Sequence, residues 1–191
     1  MALFRPSAMY ARAQRATSFR RESGDLLLEH VRAQAKVDVH DIFMSHAFDD
    51  KDLVLGVTKT IEDMGYSVYL DWRDDPLLDR RNITPATAAQ LRARMKSSKC
   101  LFFATTQHAS TSRWMPWELG YKDGHNTRTA ILPFSETETT AFQGQEYLGI
   151  YPYVDEAPEA NTGIRRLWVR RSPTMYVIFD AWLTGAEPRQ R

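Results

Sequence analysis

From Val37 onward, short apolar runs alternate with stretches in which apolar residues return at helical spacing. Parallel strands cannot be closed by a tight turn, so each pair needs a connection long enough to hold a helix, and this alternation is the signature of such units. The fold class is therefore α/β. The first strand is expected over Val39 to Met44. Asp49 or Asp50 then caps a helix whose positions Leu53, Val54, Val57, Ile61 and Met64 share one face, with Gly65 as its stop. A second strand is expected over Tyr66 to Leu70, followed by a loop of mixed charge from Trp72 to Ile83. Thr84 caps and Pro85 opens the next helix, with Leu91 and Met95 inward. The unbroken run in Lys99 to Thr105 suits a central strand buried on both faces. Beyond the polar loop Thr106 to Arg113, a helix is expected over Trp114 to Lys122 and a fourth strand over Arg128 to Phe134. A fifth strand is expected over Tyr147 to Val154 and a last helix over Ser172 to Leu183.

Residues 1–36 stand outside this pattern and are expected to form a helical extension to a domain spanning 37–191. Residues 1–21 hold five arginines and no acid. That bias resembles a transit peptide. The competing reading packs this stretch, and a second helix over Asp25 to Lys36, on the outside of the domain.

Composition removes several function classes. With 25 Lys+Arg against 24 Asp+Glu the formal charge is +1, so nucleic acid as the main partner lacks its usual electrostatic signature. The longest apolar runs fall far short of the roughly 20 residues that span a bilayer, so no membrane partner and a cytoplasmic location are expected. A single cysteine, Cys100, forms no internal disulfide and reads as inert core, and five scattered histidines show no metal-ligand spacing. No bound metal or cofactor is expected.

Motif chemistry narrows the field further. Neither a dinucleotide-binding G-x-G-x-x-G nor a P-loop is present. The third strand ends Ala104-Thr105-Thr106 without the aspartate of a phosphoacceptor domain. Ser110 and Ser112 lie near His108, but nothing in the sequence places an orienting carboxylate, and the nucleophile elbow G-x-S-x-G is missing.

In open parallel sheets, ligands gather beyond the carboxyl ends of the strands. There the first strand delivers Ser45 and His46, the second delivers Asp71 and the loop from Trp72, and the third leads to Trp114 and Glu118. The last two are one helical turn apart, an aromatic face beside a carboxylate. An aromatic face stacks on a base. A carboxylate accepts hydrogen bonds from ribose hydroxyls and stabilises the positive charge that grows on a ribose carbon as its N-glycosidic bond breaks.

At these residues the chain resembles a Toll/interleukin-1 receptor (TIR) domain of bacterial type. The matching stretches are His40-Asp41-Ile42-Phe43-Met44-Ser45-His46-Ala47 with Asp49-Asp50-Lys51-Asp52, then Tyr66-Ser67-Val68-Tyr69-Leu70-Asp71, and Ser112-Arg113-Trp114-Met115-Pro116-Trp117-Glu118-Leu119. The resemblance implies a flavodoxin-like sheet of five parallel strands with helices on both faces. It makes Trp72 to Ile83 the family's BB loop, here lacking the usual Pro-Gly turn, and a surface for self-association. It also implies NAD+ as substrate: Glu118, in the W-x-x-x-E pattern, cleaves the nicotinamide–ribose bond and leaves ADP-ribose or a cyclic isomer, as a signal to a separate effector in antiphage defence of Thoeris type. Ser45, His46, Asp71, Trp72 and Trp114 are then candidate substrate contacts, Arg80 and Arg81 candidates for the pyrophosphate, and Trp117 core. A noncatalytic TIR–TIR adaptor and a virulence effector imitating host TIR domains are the alternatives.

Overall fold

The computed structural model describes residues 3–22, 39–76, 78, 84–106, 108–136 and 146–191, with backbone alone for 19–22. In chain order these form α1 (Pro6–Glu22), β1 (His40–Ser45), α2 (Lys51–Asp63), β2 (Val68–Tyr69), the single turn α3 (Asp71–Asp74), α4 (Pro85–Ser97), β3 (Ser98–Thr105), α5 (Trp114–Asn126), β4 (Thr129–Pro133), β5 (Tyr153–Pro158), β6 (Arg165–Ser172), β7 (Met175–Ile178), α6 (Phe179–Leu183) and β8 (Arg189–Gln190). The sheet runs β2-β1-β3-β4-β5-β6-β7-β8. Its first five strands are parallel, as expected, and β5 to β8 continue it antiparallel.

Strand alternation divides the core into two layers. Cys100, Phe102 and Ala104 of β3 join Ile42 and Met44 of β1 against Leu53, Val54, Val57 and Ile61 of α2. Leu101 and Phe103 join Phe43 against Leu91 and Met95 of α4 and Met115 and Leu119 of α5. The signals that delimit these helices act as the sequence suggests. Thr84 Oγ1 accepts the Thr87 amide at 3.1 Å with Pro85 behind it, and Gly65, at φ +94°, takes the left-handed turn after α2.

The arginine-rich segment is packed on the domain. Leu3 and Phe4 are buried, one in each core layer, and Phe4 forms a parallel bridge with Phe134 at the end of β4. The Ser7 amide and hydroxyl both donate to Glu136, at 2.6 and 2.8 Å. α1 crosses α2 at Gly56, where any Cβ would stand 1.9 Å from the Met9 carbonyl oxygen. The second helix expected over Asp25 to Lys36 lies outside the described residues. Among the described residues no helix is long and apolar enough to cross a membrane.

The C-terminal third corrects two expectations. The fifth strand starts at Tyr153, and Glu146–Ile150 is a short helical turn instead. Ser172 to Leu183 is one strand end, a turn at Pro173-Thr174, the strand β7, and only then the helix α6. Burial of Leu167, Val169 and Val177 follows a period of two, and the turn at Pro173 closes a hairpin, so the helical spacing of the apolar residues there was coincidental. Inside this hairpin layer the guanidinium of Arg170 contacts both oxygens of fully buried Asp155 at 2.8 Å.

One charged side chain fixes α5 against its neighbour. Lys122 of α5 is fully buried, and its ammonium donates to the carbonyls of Met95, at 2.7 Å, and Ser98, at the end of α4. Burial pulls its pKa from the ordinary 10.5 down to about 8. Between those values the unfolded chain holds a proton that the folded chain does not, so stability rises with pH across that window, by up to ~1.4 kcal/mol per pH unit. Lys122→Met should lose that rising segment; urea midpoints of both proteins at about pH 8 and pH 10 test it, and parallel midpoints would contradict it.

Candidate active site

Strand order reverses between β1 and β3, since β2 lies on one side of β1 and β3, β4 and β5 follow on the other. This is the switch point at which a doubly wound sheet opens a crevice at its carboxyl edge. Ser45 ends β1 at that switch point, in register with Phe103 of β3, and is fully buried. Glu118 reaches the same spot from the second turn of α5, because Met115, Glu118, Leu119 and Lys122 form one inward stripe of that helix. Ser45 Oγ donates to Glu118 Oε2 at 2.6 Å, and both residues are 0% exposed. A carboxylate so enclosed needs donors to offset its lost hydration. The start of α5 is fixed by Ser112, whose hydroxyl accepts the Met115 amide at 3.3 Å.

His46, Asp71 and Trp72 form a second group beside this pair. The carbonyl of Met44 lies 2.9 Å from His46 Nδ1, which therefore carries a proton, while Nε2 accepts the Trp72 indole N–H at 3.1 Å. With both nitrogens engaged, the ring couples the end of β1 to α3. Asp71 Oδ1 is 3.6 Å from the same Nε2. The base of the loop is braced by buried Arg73, which binds Glu62, Asp74 and the Val68 carbonyl, and by Asp75, which takes Tyr69 Oη at 2.8 Å and Arg94 at 2.7 Å. Arg94 and Tyr69 together hold the Asp75 carboxyl below its ordinary range despite partial burial.

The aromatic face ahead of Glu118 is an array. Trp114 meets Trp117 edge-on at 5.4 Å, Trp117 stacks on Tyr121 at 5.8 Å, and both tryptophans are half-buried. Arg80 and Arg81 lie outside the described residues, as does most of the loop tip. Among the described residues no cluster of His, Cys, Asp and Glu has the makings of a metal site.

Folding also supplies what the sequence withheld around His108. Asp50 Oδ1 lies 2.7 Å from His108 Nδ1, and Thr106 donates to the other oxygen of the same carboxylate. The orienting acid sits 58 residues upstream, out of reach of any local pattern. Asp50 also makes no cap for α2, the role that the sequence suggested. Ser112, one of the two serines near His108 in sequence, is engaged in the turn before α5.

Comparison with known proteins follows from the same stretches. No family model matches. The chain is 46% identical over 149 residues, 78% of its length and 77% of the relative's, to a protein of Bacillus cereus (strain MSX-D12) named a probable 3′ cyclic ADP-D-ribose synthase, ThsB′. Over 84 residues, 44% of this chain and 22% of the relative, it is 31% identical to a protein of Cytobacillus dafuensis provisionally named a cyclic ADP-D-ribose synthase, TIR2. A solved TIR domain of the Toll-related receptor TRR-2 from Hydra magnipapillata superimposes with a TM-score of 0.42 at 15% identity, over 57% of this chain and 77% of that one.

The Ser45 hydroxyl is a donor to a fully buried carboxylate, so Ser45→Ala should cost about 1–3 kcal/mol. In a Glu118→Gln background, where no charge is left to satisfy, the same change should cost less. A double-mutant cycle by urea unfolding measures the difference; additive losses would mean that the two groups do not couple.

Proposed function

The chain belongs to the bacterial TIR-domain family of Thoeris type, and from that premise we propose that it cleaves the nicotinamide–ribose bond of NAD+ and closes the product to a cyclic ADP-ribose isomer. The observation that carries this reading is the buried pair of Glu118 and Ser45 at the switch point of the sheet. Breaking the bond leaves positive charge on the ribosyl carbon, while the electron pair departs with neutral nicotinamide. A carboxylate held in a dry crevice stabilises that charge far better than one in water, and it needs no reorganisation to do so. Ser45 orients the carboxylate. The Trp114 ring at the start of α5 offers a face for a base. The His46–Trp72 contact ties the end of β1 to α3, where the loop begins. NAD+ serves as substrate and no further cofactor is invoked.

The name carried by the Bacillus cereus relative supports ring closure over hydrolysis. A cyclic nucleotide made in one step from an abundant dinucleotide suits a signal, which accords with a defence role in which a separate effector senses the product. Self-association through Trp72–Ile83 is part of the same proposal, since a partner that excludes water from the carboxyl edge of the sheet would strengthen every electrostatic contribution there.

Glu118→Gln keeps the shape and removes the charge. Nicotinamide release should fall about 100-fold or more, the scale on which a preorganised electrostatic group acts, with little change in thermal melting. Near-normal release from the folded variant would overturn the assignment. If assembly completes the site, nicotinamide release per molecule should climb over a hundredfold range of protein concentration in step with light scattering. Constant specific activity from a monomer would show that one chain suffices.

A further inference from the structure

A second carboxylate-centred cluster stands at the same edge of the sheet as Glu118 and is used by nothing described so far. Asp50 ends the helical turn Phe48–Asp50 after β1, and Thr106 and His108 follow β3, so the two strands that flank the crevice deliver all three. Asp50 is 5% exposed. One of its oxygens accepts the Thr106 hydroxyl and the other takes His108 Nδ1–H at 2.7 Å. A carboxylate only accepts, so Nδ1 is the protonated nitrogen and Nε2 keeps its lone pair.

Two features mark this as a dedicated arrangement. Asp50 stands at the N-cap of α2 yet makes no capping bond there, forgoing the stabilisation such a cap gives and holding the β3 loop instead. The His108 side chain is 50% exposed, while its orienting acid is buried. No hydrogen bond among the described residues uses Nε2. A buried acid holding one ring nitrogen while the other is presented outward is the relation of orienter to general base.

Ring closure requires such a base. As the ribosyl C–N bond breaks, its electron pair leaves with nicotinamide; a hydroxyl oxygen of the adenosine ribose then forms a C–O bond to the ribosyl carbon, and the proton of that hydroxyl must be taken up. Hydrolysis differs only in that water supplies the oxygen. We propose that His108, oriented by Asp50, accepts the proton from the attacking ribose hydroxyl at Nε2 and thereby sets the share of cyclic product. This rests on the reading that the chain cleaves NAD+ at Glu118. The acquired proton later passes to solvent, so NAD+ yields nicotinamide, cyclic product and one proton.

The surrounding charges favour a base over a simple anion contact. Asp50, through its hydrogen bond and its charge, and then Asp49 raise the proton affinity of the ring, and two carboxylates beside one imidazole leave little net attraction for a pyrophosphate. Lys51, the cation of the same turn, lies over the Phe48 ring at 3.6 Å, and Arg113 at the far end of the loop is exposed. Because the pKa is raised, the base form is gained as pH climbs through a value above the ordinary 6.5.

The test is to incubate the full chain, His108→Gln and Asp50→Asn with NAD+ between about pH 6 and pH 9, and to measure nicotinamide, cyclic product and ADP-ribose separately. The cyclic share in the unmodified protein should rise with pH. In His108→Gln it should drop about tenfold or more and lose its pH dependence, with ADP-ribose taking its place. In Asp50→Asn the rise should move to lower pH. An unchanged cyclic share and pH profile in His108→Gln would overturn the role of His108, as would ADP-ribose as the sole product of the unmodified protein. Absence of nicotinamide from the unmodified protein would overturn the NAD+ reading itself, and with it this proposal.

Discussion

A carboxylate with no exposure, Glu118, accepts a hydrogen bond from a strand-end hydroxyl with no exposure, Ser45. Burying an ionised carboxylate costs several kcal/mol unless donors meet it, so both elements that carry this pair must be held in register. β1 is held by pairing on both edges, with β2 and β3. α5 is held at its start by Ser112, along its length by Met115 and Leu119 in the core, and near its end by Lys122 on the last carbonyls of α4. Of the four inward positions on that helix, two are apolar and two are ionisable. The apolar pair supplies docking energy, and the ionisable pair holds the Ser45 hydroxyl and the last carbonyls of α4.

That division explains which parts of the molecule were legible in the sequence. The parallel layer was, because a strand buried on both faces requires an unbroken apolar run such as Cys100 to Ala104, and its crossover helices carry local stop signals such as Gly65 and Thr84. The hairpin β6–β7 was not, because Met175, Ile178, Phe179 and Trp182 recur at helical spacing across the end of β7 and the start of α6, and only the pairing of β7 with β6, itself paired with β5, makes the first part a strand. The packing of α1 was half legible: a bias toward arginine says nothing of Phe4, whose burial depends on a bridge to Phe134 far along the chain.

The site divides in the same way. Ser45 and Glu118 were nameable from strand-end logic and the helical spacing to Trp114. The partnership of Asp50 with His108 was not, since it joins two loops that meet only once β1 and β3 lie side by side. His46 was named as a substrate contact on position alone, whereas its two nitrogens are taken by Met44 and Trp72. The carboxyl edge of the sheet thus has one carboxylate, on α5, enclosed against the Ser45 hydroxyl and a second, in the turn after β1, against the His108 imidazole. Their surroundings differ: Glu118 is sealed from water, and the ring on Asp50 stays half open to it.

The central claim is spatial: the nicotinamide ribose of NAD+ sits in the crevice between β1 and β3, against residue 118. A crystal structure of Glu118→Gln soaked briefly with NAD+ tests it most directly, since the variant should bind the dinucleotide and turn it over about 100-fold or more slowly. The account predicts the nicotinamide ribose in contact with Gln at position 118 and with Ser45, and the rest of the dinucleotide running toward His108. NAD+ bound elsewhere on the surface, for example in the open groove of about 500 Å³ bordered by Tyr66, Ile164 and Arg165, with the crevice closed to it, would contradict the account.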